Sequence, residues 1–339
     1  MGPTGETYRV LQLHPTRRCN LRCQHCYSLS GPEERDELDV ALLCEALSDA
    51  AAEGYTVAGF SGGEPLLYKP LRKALEHARS CGMSTTVTSN GMLLDGPRLE
   101  ILRGAVCLLA ISLDGVPASH NRVRGSAHAF AGMASRLEGV RQSGIPFGFI
   151  FTLTQHNVQE LEWVAQFALE QGARLLQIHP LEIVGRARTE LPGARPDALE
   201  SAYAYIEAAR IQELAGERLS VQVDLSDREL LQKQPERAFA SAEVGNESTQ
   251  RLADLVSPLV IEADGEVVPI QHGFSRSYSL GNLNSAPLRD LAPRWRQERY
   301  GQLRALCRGV FNDVTAPASL PFFNWYEAIG EASEQATPA

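Results

Sequence analysis

Between residues 8 and 180, short apolar runs alternate with longer stretches of helical periodicity, and this alternation recurs six times. Val10–Leu13, Val57–Phe60, Ser84–Thr88, Cys107–Ser112, Phe147–Leu153 and Leu175–His179 read as strands. The stretches Val40–Glu53, Pro70–Ser80, Pro97–Arg103, Phe130–Gln142 and Val158–Gln171 lie between them. Each carries apolar residues at helical spacing, as in Leu42, Leu43, Ala46, Leu47 and Ala50. Gly54, Gly82, Gly104, Gly144 and Gly172 stand where these helices should stop. Repetition at this interval means βα units on a parallel sheet, an α/β fold. Six units in order predict a curved partial barrel. Such architectures collect their sites at the carboxyl ends of the strands.

Every chemically distinctive motif follows a predicted strand. The first strand leads into Cys19-Asn20-Leu21-Arg22-Cys23-Gln24-His25-Cys26, three cysteines at C-x3-C-x2-C. A loop can turn three thiolates onto one metal centre. Structural zinc takes four closed ligands, and His14 or His25 is available as the fourth. An iron–sulfur cluster held by only three cysteines keeps one position open, and open positions are where metal sites do chemistry. Gly62-Gly63-Glu64-Pro65 follows the second strand, Thr88-Ser89-Asn90-Gly91 ends the third, and Ser112-Leu113-Asp114-Gly115 ends the fourth.

Bulk properties narrow the function. The 339 residues carry 32 basic and 41 acidic side chains, a net charge of −9, so no basic field gathers phosphates and a nucleic-acid role is not expected. No apolar run approaches the roughly 18–20 residues that span a membrane. The first seven residues lack the basic and apolar regions of a signal peptide. Seven cysteines, three clustered and four scattered at Cys44, Cys81, Cys107 and Cys307, argue against a disulfide framework and for a reducing, cytoplasmic setting. The scattered four read as core or surface thiols.

Taken together, these motifs resemble the radical S-adenosylmethionine (SAM) superfamily, over residues 8–190 closely and over 255–285 loosely. The branch resembled includes anaerobic sulfatase-maturing enzymes, peptide-modifying enzymes and the molybdenum-cofactor cyclase. The resemblance implies a partial (β/α)6 TIM-type barrel in which Cys19, Cys23 and Cys26 hold a 4Fe–4S cluster. The free iron would be left to the amino and carboxylate groups of SAM. Reductive cleavage of SAM would yield a 5′-deoxyadenosyl radical that abstracts hydrogen from a substrate. Gly62, Gly63, Glu64 and Pro65 match the motif that grips the SAM amino group. Ser112 and Asp114 fall where relatives contact the ribose and carboxylate. Asn90 and Arg124 occupy positions that bind or brace SAM, although Arg122 is an alternative to Arg124. His25 stands where relatives place an aromatic ring near adenine. His179 and Glu182, after the sixth strand, are candidates for acid–base work on the substrate. Tyr68, Thr152 and Gln177 are lesser ones.

The chain after Pro180 reads more loosely. Residues 186–200 form a loop, Pro196–Leu214 an amphipathic helix and Leu219–Leu225 a strand. Residues 226–254 suggest a helix and a mobile connector. Leu259–Val268 is a hairpin with Asp264-Gly265 at its turn, Arg289–Arg308 a charged helix, and residues 329–339 a disordered tail. This divides the chain into a barrel, 8–225, and a small hairpin-plus-helix extension, 226–328. In relatives a SPASM/twitch-like extension of this kind carries further clusters. Here Asp264–Pro269 and Leu280-Gly281-Asn282 match its pattern, but Ile270 replaces its first cysteine and only Cys307 lies downstream. About four thiolates per cluster are needed, and His272 with Cys307 cannot supply them. The extension therefore resembles one that has lost its metals, and redox-neutral outcomes become easier than a net oxidation. A ribosomally made peptide is the expected substrate, with a small metabolite such as a sugar nucleoside as the alternative. No leader-peptide-binding domain is recognised ahead of the barrel. Flavodoxin or ferredoxin is the expected reductant. Two rival readings are a non-catalytic cluster- or SAM-binding scaffold and a zinc-binding structural protein.

Overall fold

A computed structural model describes residues 8–239, 250–317 and 320–336. The strands are β1 Val10–Leu13, β2 Val57–Phe60, β3 Ser84–Ser89, β4 Leu108–Ser112, β5 Phe147–Leu153, β6 Leu175–Pro180, β7 Ser220–Val223, β8 Ser226–Asp227, β9 Leu259–Ile261, β10 Glu266–Pro269, β11 Gly281–Asn282 and β12 Phe322–Phe323. The barrel helices are α1 Val40–Ala52, α2 Leu71–Ser80, α3 Gly96–Leu102, α4 Pro117–Arg124, α5 Ala129–Ala134, α6 Leu137–Ser143, α7 Leu161–Gln171, α8 Ala187–Glu190 and α9 Ala198–Ala215. After them come α10 Arg228–Lys233, α11 Leu252–Leu255, α12 Leu288–Glu298, α13 Tyr300–Thr315 and α14 Trp325–Gln335.

Ten strands form one open sheet in the order β11-β10-β9-β1-β2-β3-β4-β5-β6-β7. β9 and β1 through β7 run parallel, and β10 and β11 are antiparallel additions. All six expected strands are present in the expected order, and the sheet does not close on itself. It also runs past the sixth strand on one side and the first on the other. β9 docks in parallel beside β1 with Leu11 opposite Leu259, so the hairpin of the extension continues the barrel sheet. The reason is burial. Leu259, Val260 and Ile261 are apolar throughout and fully buried, as a strand covered on both faces must be.

Three helical stretches differ from expectation. Phe130–Gln142 breaks into α5 and α6 around Ser135, whose hydroxyl donates to the Gly132 carbonyl (2.9 Å) and competes with the helix ladder. The stretch 289–308 breaks at Arg299 into α12 and α13. On one continuous helix Trp295 and Tyr300 would face roughly 140° apart, whereas the break buries both against the core, their rings 5.7 Å apart. Residues 329–335 are helical instead of a disordered tail. Asn324 caps α14 by accepting from the Tyr326 and Glu327 amides, and Trp325 and Ile329 are buried. Residues 337–339, most of the connector expected within 226–254, and the seven residues read for a signal peptide lie outside the described residues.

Candidate active site at the carboxyl edge of the sheet

The cysteine loop leaves β1 and is fastened from three directions. The turn after β2 runs beside it, with Gly63 N donating to Thr16 O (2.8 Å) and Glu64 N to Arg18 O (2.9 Å). Both glycines are needed for that approach. A Cβ on Gly63 would lie 2.3 Å from Arg18 O, and one on Gly62, whose φ is +94°, 2.8 Å from His14 Cβ. Beside their expected place in the SAM-gripping motif, these glycines allow two backbone segments to meet. From the loop after β6, Arg186 is buried and donates to Cys23 O (2.8 Å) and Ser30 O (2.6 Å), while its amide donates to Cys26 O (3.0 Å). The third fastening is the end of α4, where Gln24 N donates to Val123 O (2.8 Å).

Glu64 is 1% exposed and takes its partners from the next strand. Its carboxylate accepts from Ser89 Oγ (3.0 Å), Asn90 N (2.9 Å) and, as a local cap, Leu66 N (3.2 Å), with Pro65 opening a short 3-10 turn. Burial raises its pKa, and these donors oppose that rise. Asn90 Nδ2 donates to Asn20 Oδ1 (2.8 Å), a residue sequence reasoning missed inside the cysteine motif. Ser112 ends β4 with its side chain largely buried.

Asp114, a candidate SAM contact, is 0% exposed, and its carboxylate is hydrogen-bonded within the protein. Oδ2 accepts from Arg124 Nε (2.6 Å) and Oδ1 from Thr152 N (3.2 Å). Burial would raise its pKa, but Arg124 together with His25 and His120 holds it well below the usual carboxylate range. Arg122 is exposed and Arg124 buried, which settles which arginine faces inward. His25 lies 3.7 Å from Asp114; burial and Arg124 push its pKa down and Asp114 opposes them, and its Nδ1 is buried without a hydrogen-bond partner among the described residues.

Further along the same edge, His179 Nδ1 lies 3.1 Å from Asp224 Oδ2, and Gln177 Nε2 donates to that oxygen (2.8 Å). His179 Nε2 is 3.6 Å from Glu182 Oε1, which accepts from Asn324 Nδ2 (3.2 Å). Burial pushes the His179 pKa down, but Asp224 and Glu182 outweigh it and hold it at about 9. Asp224 and Asn324 were not found by sequence reasoning, because they reach the site from β7 and from the cap of α14. Tyr68 is committed to Leu38 O (2.8 Å) as a packing residue. His272 turns to His14 (Nδ1 to Nδ1, 3.1 Å) and Glu262 (3.3 Å), and Cys307 is fully buried within α13.

Burial raises Cys19 to about 12, and Glu64, Cys23 and Cys26 add to the rise, so the sulfurs are near enough to repel one another as thiolates. A bound metal centre removes that cost, since a coordinating thiol is deprotonated outright. Among the described residues no three His, Cys, Asp or Glu side chains converge on a single-ion position. A cubane takes one thiolate per iron and needs no such convergence. Neither expected fourth zinc ligand is turned to the cysteines: His14 faces Tyr27 and His272, and His25 faces Asp114. The donor set fits an iron–sulfur cluster.

Residues 13–168 match the family described as the Radical SAM superfamily. Fe-coproporphyrin III synthase of Methanosarcina barkeri is 28% identical over 299 residues, covering 83% of this chain and 73% of its own. PqqA peptide cyclase of Xanthomonas axonopodis pv. citri is 30% identical over 229 residues, 66% of this chain, and this match spans 61% of the cyclase. Among solved structures, Streptococcus suis SuiB bound to precursor peptide SuiA superposes with a TM-score of 0.67 at 17% identity, over 88% of this chain and 67% of that one.

Proposed function

This chain belongs to the radical SAM superfamily and is a radical SAM enzyme whose cofactors are a 4Fe–4S cluster and SAM, and on that premise we propose that it abstracts hydrogen from a peptide. When bound, these two groups supply one-electron cleavage of SAM and a primary carbon radical. The observation that carries the reading is the three-cysteine loop fastened against Gly62–Glu64 at the carboxyl edge. Cys19, Cys23 and Cys26 hold the cluster. The Gly62–Pro65 turn would hold the SAM ammonium, its shape fixed by the buried Glu64 carboxylate, which accepts from Leu66 N, Ser89 Oγ and Asn90 N. Asn90 and Ser112 would bind or brace SAM, and His25 would stand toward its adenine. Arg186 and Gly185 hold the loop shape so that the cofactor meets a preorganised site.

His179 and Glu182 serve the substrate. His179, charged near neutrality through Asp224, donates or holds a proton beside Glu182. The names of the peptide cyclase and of the SuiB complex support a peptide substrate. A second reading, a small metabolite, gains from the porphyrin named in Fe-coproporphyrin III synthase. Among the described residues no helix is long and apolar enough to cross a membrane, and seven free thiols suit a reducing compartment with a flavodoxin- or ferredoxin-type donor.

The test is deuterium transfer. The reconstituted enzyme, SAM and dithionite are incubated with a panel of deuterated short peptides, and 5′-deoxyadenosine is analysed by mass. Deuterium in the nucleoside supports the peptide reading. Transfer from a deuterated porphyrinogen or nucleoside, and none from the peptides, would move the assignment to the metabolite.

A further inference from the structure

The three cysteine sulfurs have unlike polar neighbours. Cys19 Sγ lies 3.9 Å from Asn90 Nδ2, and Cys26 Sγ lies 3.4 Å from Ser28 Oγ. Cys23 Sγ alone faces a cation, Arg124 Nη1 at 3.8 Å. That guanidinium is 9% exposed and rigidly placed, its Nε bound to fully buried Asp114 at 2.6 Å. The backbone bond from Gln24 to Val123 ties the last turn of α4 to the cysteine loop. Gly125 ends the helix in the left-handed region at φ +66°, and a Cβ there would lie 2.7 Å from Arg22 O. The helix end and the loop that carries Cys23 therefore move as one piece.

We propose that Arg124, oriented by Asp114, sets the reduction potential of the cluster by donating to the sulfur of Cys23. Hydrogen bonds to cluster sulfurs and nearby charge are among the determinants of cluster potential. A donor with positive charge favours the electron-richer state, and burial strengthens its effect. The electron itself comes from an external one-electron donor. Two of the three guanidinium nitrogens are committed, to Asp114 and Cys23, so the residue acts on the electron acceptor as well as on any SAM carboxylate. The inference rests on the radical SAM reading above.

The experiment is an EPR-monitored redox titration of the reconstituted protein without SAM. Arg124→Lys and the double variant Arg124→Gln/Asp114→Asn, which avoids leaving a buried carboxylate unpaired, are compared with wild type. Arg122→Gln, which removes an exposed cation from the same helix, is the control for general charge loss. In both Arg124 variants the ratio of reduced to oxidised cluster at fixed solution potential should fall about tenfold, equivalent to about 59 mV for a one-electron couple, while Arg122→Gln leaves it unchanged. Loaded variants with an unchanged or more positive midpoint overturn the inference alone. A wild-type chain that holds no cluster overturns it together with the reading beneath it. Should the variants not load, wild-type protein labelled with ¹⁵N-arginine decides: a nitrogen hyperfine coupling in the reduced cluster is expected, and its absence overturns the inference.

Discussion

Gly63 carries a steric demand that a single methyl group tests. Its added Cβ would meet a backbone oxygen, Arg18 O, at 2.3 Å, and no side chain can move aside to relieve it. Gly63→Ala should cost about 1–3 kcal/mol, the usual range for overpacking, and lower iron retention. Gly309→Ala, facing open space inside α13, should be neutral or stabilise by roughly 0.4–1 kcal/mol. Thermal unfolding of the two variants separates these outcomes, and equal melting temperatures would contradict the demand. His179 gives a test in pH. Its folded pKa of about 9 lies above the unfolded value, so its contribution to stability is full below about pH 6.5. The contribution fades as pH rises and is lost above about 9. Urea unfolding of wild type against Asp224→Asn should show a gap that narrows over that window; a constant gap would refute the pairing. Motif residues were legible in the sequence because the types are contiguous. Their partners were not: Asp114 meets Arg124 and Thr152, and His179 meets Asp224, only after distant strands are brought side by side.

Among the elements, α14 is the one to test because it ties the loop after β6 to the segment after β10. Arg188 and Arg195 of the loop region after β6 pair with Glu334, Glu331 and Glu327 at 2.5–3.1 Å. On the β10 side, Ser333 Oγ accepts from Ser275 N (3.3 Å), and a Cβ on Gly330 would touch Gln271. Each exposed pair adds little, but Asn324 both caps the helix and holds Glu182. Asn324→Ala should cost about 1 kcal/mol and speed amide exchange across 325–335; unchanged exchange there would contradict this role. The Arg186 clamp belongs to the same loop. Arg186→Ala should leave two buried carbonyls, Cys23 O and Ser30 O, without these donors, costing about 1–3 kcal/mol for each, and iron retention should drop. The βα period made the barrel helices legible, since amphipathic spacing is local. α14 was missed because its polar face engages distant arginines and its apolar face is short, which in sequence looks like a tail.

At the scale of the whole molecule, eight parallel strands turn their carboxyl ends to one edge, and the extension contributes β9 to that arc. The cysteine loop, the Gly62–Glu64 turn, Asn90, Ser112, His179 and Asp224 all follow or end strands on this edge. The six-unit core was legible from hydrophobic alternation. The docking of β9 was not, because pairing across roughly 250 residues leaves no local trace. The most direct measurement is anaerobic reconstitution with iron and sulfide, then incubation with SAM and dithionite, for wild type and for Cys19→Ala, Cys23→Ala and Cys26→Ala. About four irons per chain, a brown protein and 5′-deoxyadenosine are expected from wild type, with the adenosyl product abolished in each variant. Undiminished colour and product in any one of the three variants would contradict a cluster held by these sulfurs.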